Sequence, residues 1–134
     1  MNLDVNWFAV LAATVAHQAL GALWYGVLFR GTWLRTMGKT AEEIQTEGAG
    51  GEMAYGVVAS FLSALALAVI LTFVDDPSAA DGVAAGAIAG IGFVAASTFM
   101  NGVYEQKPAV LSALFGGYYT LGLIAAGAIV GAWQ

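Results

Sequence analysis

Four long stretches of the chain carry no charged side chain, and they constrain the fold more than any other feature. Residues 5–29, 53–74, 82–104 and 108–134 contain no Asp, Glu, Lys or Arg. Each stretch is close to the roughly 20 apolar residues that an α-helix needs to cross a membrane, whereas a strand of a membrane barrel needs about 10. The sequence therefore predicts an all-α integral membrane four-helix bundle of two transmembrane hairpins.

The predicted bundle is a single transmembrane domain over residues 1–134, with spans at about 5–29, 53–74, 80–104 and 108–133. Charged residues make up 10% of the chain, against about 25% in soluble domains. The formal net charge of −5 comes from acids in the loops, and we expect no nucleic-acid partner. The lack of cysteine in the sequence excludes disulfides, thiolate catalysis and cysteine-based metal sites.

The connection at 30–52 is the one long loop that the pattern predicts. Thr40 and Glu43 have the spacing of a capping box, which predicts a short interfacial helix at about 41–46. The glycines within 48–51 predict a flexible hinge before the second span. Ser78 and Asp81 offer a second capping pair at the start of the third span.

The few cations predict the orientation of the bundle. Arg30, Arg35 and Lys39 lie in the first loop and Lys107 lies in the third. These two loops must share one side of four consecutive spans, and Lys and Arg are enriched in cytoplasmic loops. We therefore expect a multi-pass protein of the cell membrane, with these loops in the cytoplasm and both termini outside.

Small residues recur at helical spacing and predict how the spans pack. Glycine lets two helix backbones approach closely in lipid, where no hydrophobic force drives helices together. Seven glycines are predicted at helix contacts: Gly21, Gly82, Gly86, Gly90, Gly116, Gly127 and Gly131. The resulting bundle should be compact, with little room for a pore of its own. Because several helices carry such rows, we expect a homo-oligomer, or a subunit of a larger membrane complex, surrounded by membrane lipids.

Two motifs resemble those of a known family. Gly21-Ala-Leu-Trp-Tyr-Gly26, followed by Leu28-Phe29 and Trp33, is the first, and Tyr104-Glu-Gln-Lys-Pro108, followed by Gly117-Tyr-Tyr119, is the second. Together they are similar to the small four-span prokaryotic membrane proteins known as domain of unknown function 1761. The resemblance covers nearly the whole chain and implies four spans, but it supplies no activity and no catalytic residues. Val27 stands where the family pattern would have proline, so no proline kink is implied.

His17 lies near the centre of the first span, where an ionisable side chain is a functional candidate by default. Proton relay, metal ligation and haem or pigment ligation are the functional alternatives. The structural alternative, which we favour, is a neutral imidazole hydrogen-bonded to another helix, for example to Thr120 or a tyrosine. A lone histidine without cysteine or a membrane-depth carboxylate is a poor metal site, although two copies in a homodimer could ligate haem.

For the other polar side chains within the spans, a functional and a structural interpretation are again possible. Gln18 either bonds a neighbouring helix or contacts a substrate. Asn101 and Glu105 point toward the loops, where they could line a vestibule or hold a cation. The structural alternative is an interfacial Glu105 that pairs with Lys107 or Arg30, and we favour it because such pairs are common.

Tyr118 and Tyr119 lie deeper than an interfacial aromatic belt requires. Buried tyrosine hydroxyls normally find a partner. Together with His17, Trp24 and Tyr25, these tyrosines could line a small aromatic pocket for a lipid-like or quinone-like ligand.

Three classes of function therefore remain open. A structural or accessory membrane subunit is favoured, because the sequence contains no reactive constellation of residues. An oligomeric channel or small-solute transporter is the alternative, and it needs a polar path through His17, Gln18, Asn101 and Glu105. A binder of a lipid-like, quinone-like, haem or pigment ligand is the third. We expect no enzymatic activity, no cofactor and no metal site.

Overall fold

The computed structural model describes residues 3–47 and 50–134, and within them the chain is helical, with no strand. Four helices are long and apolar enough to span a membrane: α1 (Trp7–Leu28), α4 (Gly50–Leu71), α5 (Ala79–Tyr104) and α6 (Ala109–Ala132). Two short helices, α2 (Arg30–Met37) and α3 (Ala41–Glu47), connect α1 to α4. The predicted all-α membrane bundle of four spans is confirmed, and the protein is a multi-pass membrane protein.

The start of α1 and the end of α6 meet at one end of the bundle. The Asn6 side chain caps α1 by accepting from the backbone N–H groups of Phe8 and Ala9, and its amide nitrogen donates to the Trp133 carbonyl at 2.7 Å. The Gln134 side chain donates to the carbonyl of Ala68 at 3.4 Å. We call this end of the bundle the terminus end. The opposite end, which carries α2, α3 and residues 105–108, is the loop end.

The loop between α1 and α4 contains more helix than the sequence predicted. α3 begins at the Thr40–Glu43 capping box, in which each residue's side chain bonds the other's backbone N–H at 3.2 Å. The sequence pattern does not predict α2, because this helix is only 8 residues long and has no clear apolar periodicity. It ends at Gly38, whose φ of 67° is a left-handed conformation that glycine adopts without strain. Of the predicted hinge at 48–51, Gly48 and Ala49 lie outside the described residues, and α4 already begins at Gly50.

Two spans contain π-helical segments. In α1, the segment Trp24–Leu28 closes with the Phe29 N–H donating to the Trp24 carbonyl at 2.8 Å. The helix then breaks at Phe29, with φ −119° and ψ 18°, so the chain turns here with Val27 rather than a proline nearby. In α5 the segment is Gly90–Ala95. Such insertions shift the face that a helix presents, and they are frequent at functional sites.

The hydrophobic core lies in the terminus-end half of the bundle. Its buried members come from three helices: Val10 and Ala13 on α1, Ala64, Leu67, Ala68 and Leu71 on α4, and Leu123, Ala126 and Val130 on α6. On α4 the buried positions run from Ser60 to Leu71, and none of those before Ser60 is buried. The bundle is therefore closed at the terminus end, whereas α4 stands away from its neighbours at the loop end.

α5 packs against α6 through glycine along nearly its whole length. A Cβ atom on Gly82 would overlap the Gly127 carbonyl, and one on Gly86 would overlap the Leu123 carbonyl. Gly90 lies against the Thr120 backbone, and a Cβ atom added to Gly90 would be only 2.7 Å from the Thr120 Cα atom. Gly116 and Gly131 on α6 lie in the same way against Ala95 and Ser78 on the α5 side.

These contacts change what the glycine rows imply about assembly. The rows on α5 and α6 face each other inside one chain, and Ser60, Ala64 and Ala68 on α4 are buried in the same bundle. The small residues therefore supply contacts within the monomer. They no longer argue by themselves for an oligomer, which remains a prediction.

Candidate functional site

A cleft of about 660 Å³ opens where α4 stands away from the other helices. It extends from Gln18 and Ser60, halfway along α1 and α4, to Met37 and Met53 at the loop end. Its walls come from α1, α2, α4, α5 and α6, so it forms only when all four spans are in place. The sequence predicts a compact bundle with little room for a pore, and the core does fill the terminus end, whereas the cleft opens at the loop end.

One wall of the cleft is aromatic. Its five rings are Tyr25, Trp33, Phe115, Tyr118 and Tyr119. The Tyr25 ring lies 5.4 Å from the Trp33 ring and 5.4 Å from the Tyr118 ring, and Tyr118 lies 4.9 Å from Tyr119. These separations are in the range of favourable edge-to-face and tilted aromatic pairs, so the rings form one continuous array from α2 to α6.

The deep end of the cleft is polar. The Gln18 amide nitrogen donates to the Ser60 hydroxyl at 2.7 Å. The carboxamide lies beside Gly56, where a Cβ atom would be 3.6 Å from its nitrogen and 3.7 Å from its oxygen. Because Gly56 has no side chain, nothing from α4 covers the Gln18 carboxamide at this point.

Tyr118 reaches this position because of a second glycine. Its hydroxyl would lie 2.9 Å from a Cβ atom on Gly21, and it donates to the carbonyl of His17 at 3.3 Å. Glycine at position 21 thus lets the phenol ring lie directly against the backbone of α1. The predicted helix contact at Gly21 is a contact with an aromatic side chain rather than with another helix backbone.

The mouth of the cleft carries Glu52, with Met37 and Met53 beside it. Lys39 lies close to this mouth and pairs with Glu47 at 2.8 Å. The hydrogen bond that the Lys39 ammonium donates to Glu47 raises the pKa of Lys39, and the charge of Glu47 and smaller contributions from the Glu52 and Glu43 carboxylates act in the same direction. The mouth is therefore polar and charged, in contrast to the aromatic wall behind it.

His17 lies behind the aromatic wall and lines neither cavity described here. Its side chain is fully buried, with its ring 5.1 Å from the Tyr118 ring and 5.9 Å from the Tyr119 ring. The Nε2 edge lies against Gly122, where a Cβ atom would overlap the imidazole. Neither ring nitrogen has a hydrogen-bond partner among the described residues, so the predicted bond to Thr120 or a tyrosine is not formed by the side chain.

This geometry leaves no space for a metal or haem iron at His17 Nε2, since α6 occupies that position. Within residues 3–47 and 50–134, no three His, Asp or Glu side chains come together in a way that could hold a metal ion.

Asn101 and Glu105 lie at a separate, smaller cavity of about 200 Å³ near the loop end of α5 and α6. Glu105 pairs with Lys107 at 2.6 Å, and about half of each side chain is exposed. This pair is the structural alternative that the sequence favoured. The smaller cavity shares Thr98 and Phe115 with the cleft, so the two lie side by side.

Comparison with known proteins shows the family. Residues 8–131 match the family described as "Protein of unknown function (DUF1761)". The chain belongs to the DUF1761 family. No curated protein and no solved structure matches the chain.

For this DUF1761 member, sequence reasoning found part of the cleft and missed the rest. It singled out Gln18, Tyr118 and Tyr119, which do line the cleft, and it grouped His17 and Trp24 with the tyrosines, although neither of these two lines it. Ser60 and Gly56, which also line the cleft, are not among the site residues that the sequence predicts. The available signal was that Ser60 and Gln18 are polar residues at matching depth in neighbouring spans, which is where hydrogen bonds between helices form.

Proposed function

We propose that this protein binds a lipid-soluble molecule that carries a planar ring and an apolar tail, and holds it in the cleft at the loop end. The observation that carries the proposal is the cleft itself, an aromatic cavity with a polar deep end inside a membrane bundle. Ligand sites are typically concave and about 300–1,000 Å³ in volume, mostly apolar, with a few polar groups that fix orientation.

The lining supports a ring more than a simple acyl chain. Tyr25, Trp33 and Tyr118 offer ring faces and edges against which a planar group can stack. Met37 and Met53 add flexible side chains that adapt to irregular shapes. An apolar tail can leave the cleft where α4 stands away from its neighbours, because the surface there faces lipid.

The orientation that the cations favour places this site in the cytoplasmic half of the membrane. Arg30, Arg35, Lys39 and Lys107 all lie at the loop end, and the cleft opens toward the same end. Under the positive-inside rule, the ligand would enter from the cytoplasmic leaflet of the cell membrane.

The geometry supports binding better than conduction. The core of α1, α4 and α6 fills the terminus-end half, so the cleft ends halfway along the bundle. A channel between copies of the chain would need His17 on a shared path, yet that side chain is enclosed within one chain. An accessory subunit remains compatible with a ligand cleft, but the glycine rows no longer argue by themselves for its assembly with other chains.

The proposal is binding without catalysis. The partner of the Ser60 hydroxyl is the N–H of the Gln18 amide, which donates to it and cannot take its proton as a general base would. We therefore assign no chemical step to the site.

The test uses the full chain in phospholipid nanodiscs and a photoreactive probe, a decyl-substituted benzoquinone with a diazirine on its alkyl chain. We expect saturable labelling that maps to cleft-lining peptides and is competed by the same compound without the diazirine. An alkyl diazirine without a ring should label the outer, lipid-facing surface instead. Equal labelling of the cleft by both probes would show an ordinary lipid-filled groove and would overturn the proposal.

A cleft-filling variant sharpens this test. Gly56→Leu adds a side chain whose Cβ meets only ordinary contacts at 3.6 Å or more, so it should fill the cleft without a backbone clash. We expect it to weaken ring-probe binding by about tenfold or more, equivalent to about 1.4 kcal/mol. The matched control is Gly92→Leu on α5, where nothing lies within 4 Å of the Cβ position, and it should bind as the unmodified protein does. Unchanged binding by Gly56→Leu contradicts the proposal.

A further inference from the structure

We infer that the cleft selects a neutral, oxygen-bearing ring, of the kind found in quinones, and holds that oxygen at the Gln18 carboxamide. The inference rests on the proposed function and names the ligand class and the group that recognises it. It concerns the deep end of the cleft, where the polar groups that could read a head group lie.

The hydrogen bonding of Gln18 is incomplete in a way that points into the cleft. A primary amide has two N–H donors and a carbonyl acceptor. In the described residues, Gln18 makes one side-chain hydrogen bond, from its nitrogen to Ser60. One N–H and the carbonyl oxygen therefore remain for a ligand, on the side that Gly56 leaves uncovered.

The position of the free N–H is fixed by neighbouring groups. Ser60, the partner of Gln18, is 2% exposed, and the Tyr118 hydroxyl donates to the carbonyl of His17, the residue before Gln18. These two hydrogen bonds tie α1 to α4 and to α6 at this depth, so the carboxamide is held in place before a ligand arrives. A preorganised donor loses less entropy when it binds than a free side chain does.

The charge distribution excludes an ionic head group at this depth. The cleft lining includes one charged residue, Glu52, and it lies at the mouth rather than beside Gln18. Placing a charge near the centre of a membrane is costly unless a partner compensates it. The deep end therefore suits a neutral carbonyl or hydroxyl oxygen, with the attached ring against Tyr118 and Tyr25.

The experiment compares three competitors with the same decyl chain: a benzoquinone, a benzene and a phenyl-trimethylammonium head. Each displaces the photoreactive probe from nanodiscs. In the unmodified protein we expect the benzoquinone to bind about tenfold more tightly than the benzene, the scale of one or two hydrogen bonds in a dry site. The ammonium head should bind most weakly.

The variant Gln18→Met keeps the length of the side chain but removes both hydrogen-bonding groups. It should abolish the preference for benzoquinone over benzene, and continued saturable binding of the benzene compound shows that the cleft is still folded. If the preference persists in Gln18→Met, the inference is wrong, while loss of binding in Gly56→Leu would still uphold the proposed function. If the ammonium head binds best and Glu52→Gln removes its advantage, the head group lies at the mouth and the inference is overturned.

Discussion

His17 shows at the residue scale what a single sequence can and cannot determine. Its position in a charge-free stretch placed it at membrane depth, and the structure buries it completely. Its immediate neighbour could not be predicted, because Gly122 lies far away in the sequence and had no place in the small-residue rows. The contact depends on the relative rotation of α1 and α6, which hydrophobic spacing does not specify.

The contact of His17 with Gly122 predicts a strong effect of one methyl group. Gly122→Ala places a Cβ atom where the imidazole lies, and overpacking of this kind typically costs about 1–3 kcal/mol. We expect that loss in the free energy of unfolding, measured by titration with a denaturing detergent in mixed micelles.

A double-mutant cycle separates this clash from a general effect of alanine in α6. His17→Ala removes the ring, so Gly122→Ala should cost much less in that background, with a coupling energy of about 1 kcal/mol or more. Additive effects of the two substitutions would contradict the contact.

Among the cleft residues, the sequence likewise identifies some members of the site and not others. Gln18 and the tyrosine pair were identifiable because polar and phenolic side chains stand out in an apolar span. Gly56 was not identifiable as part of a site, since a glycine that leaves space for a ligand has the same sequence appearance as one that leaves space for a helix. Only the structure separates Gly56, which faces the cleft, from Gly86, which faces a backbone.

At the scale of the elements, the spans were predictable and their irregularities were not. Length and hydropathy identify all four spanning helices. The π-helical segments Trp24–Leu28 and Gly90–Ala95, and the short helix Arg30–Met37, carry no comparable signal. The first segment contains Tyr25, whose ring joins the aromatic wall, so an irregular turn positions part of the candidate site.

The pair of α5 and α6 makes the strongest prediction at this scale. Gly86→Leu directs a side chain into the Leu123 carbonyl and must force the two helices apart. We expect a loss of about 3 kcal/mol or more in the free energy of unfolding, at the upper end of overpacking effects. Detergent-titration unfolding measures it.

The matched control for Gly86→Leu is again Gly92→Leu, which lies on the same helix in open space and should change stability by no more than about 0.5 kcal/mol. If Gly86→Leu kept full stability and altered only the size of the assembly, the glycine row would serve a contact between chains. The arrangement of α5 and α6 described above would then be wrong.

For the whole molecule, composition determined the class of fold and left its shape open. Charge-free stretches of spanning length require a membrane bundle, because each span must satisfy its own backbone hydrogen bonds. The terminus end is closed because α1, α4 and α6 share one core there, and the loop end is open because α4 does not contribute to that core before Ser60. Since α4 is largely apolar on both sides of Ser60 after Glu52, the pattern could not show that only the half from Ser60 onward would be buried.

The orientation of the whole molecule decides which leaflet supplies the ligand, and it can be tested with one set of labels. The sequence has no cysteine, so each introduced cysteine is the only thiol. Leu3→Cys and Asp75→Cys report on the terminus end, and Thr46→Cys on α3 reports on the loop end; all three positions are exposed.

In intact cells, an impermeant maleimide should label the two terminus-end cysteines, and should label Thr46→Cys only after the membrane is opened. We expect this pattern because loops that carry Lys and Arg tend to stay on the cytoplasmic side, and the loop end carries Arg30, Arg35, Lys39 and Lys107. Neutralising Arg30 and Arg35 together should weaken that bias and produce mixed labelling.

The opposite pattern in the unmodified protein would place the cleft in the outer leaflet. The ring-binding proposal would survive that result, because its contacts do not depend on which side is which, but its ligand would then have to come from outside the cell.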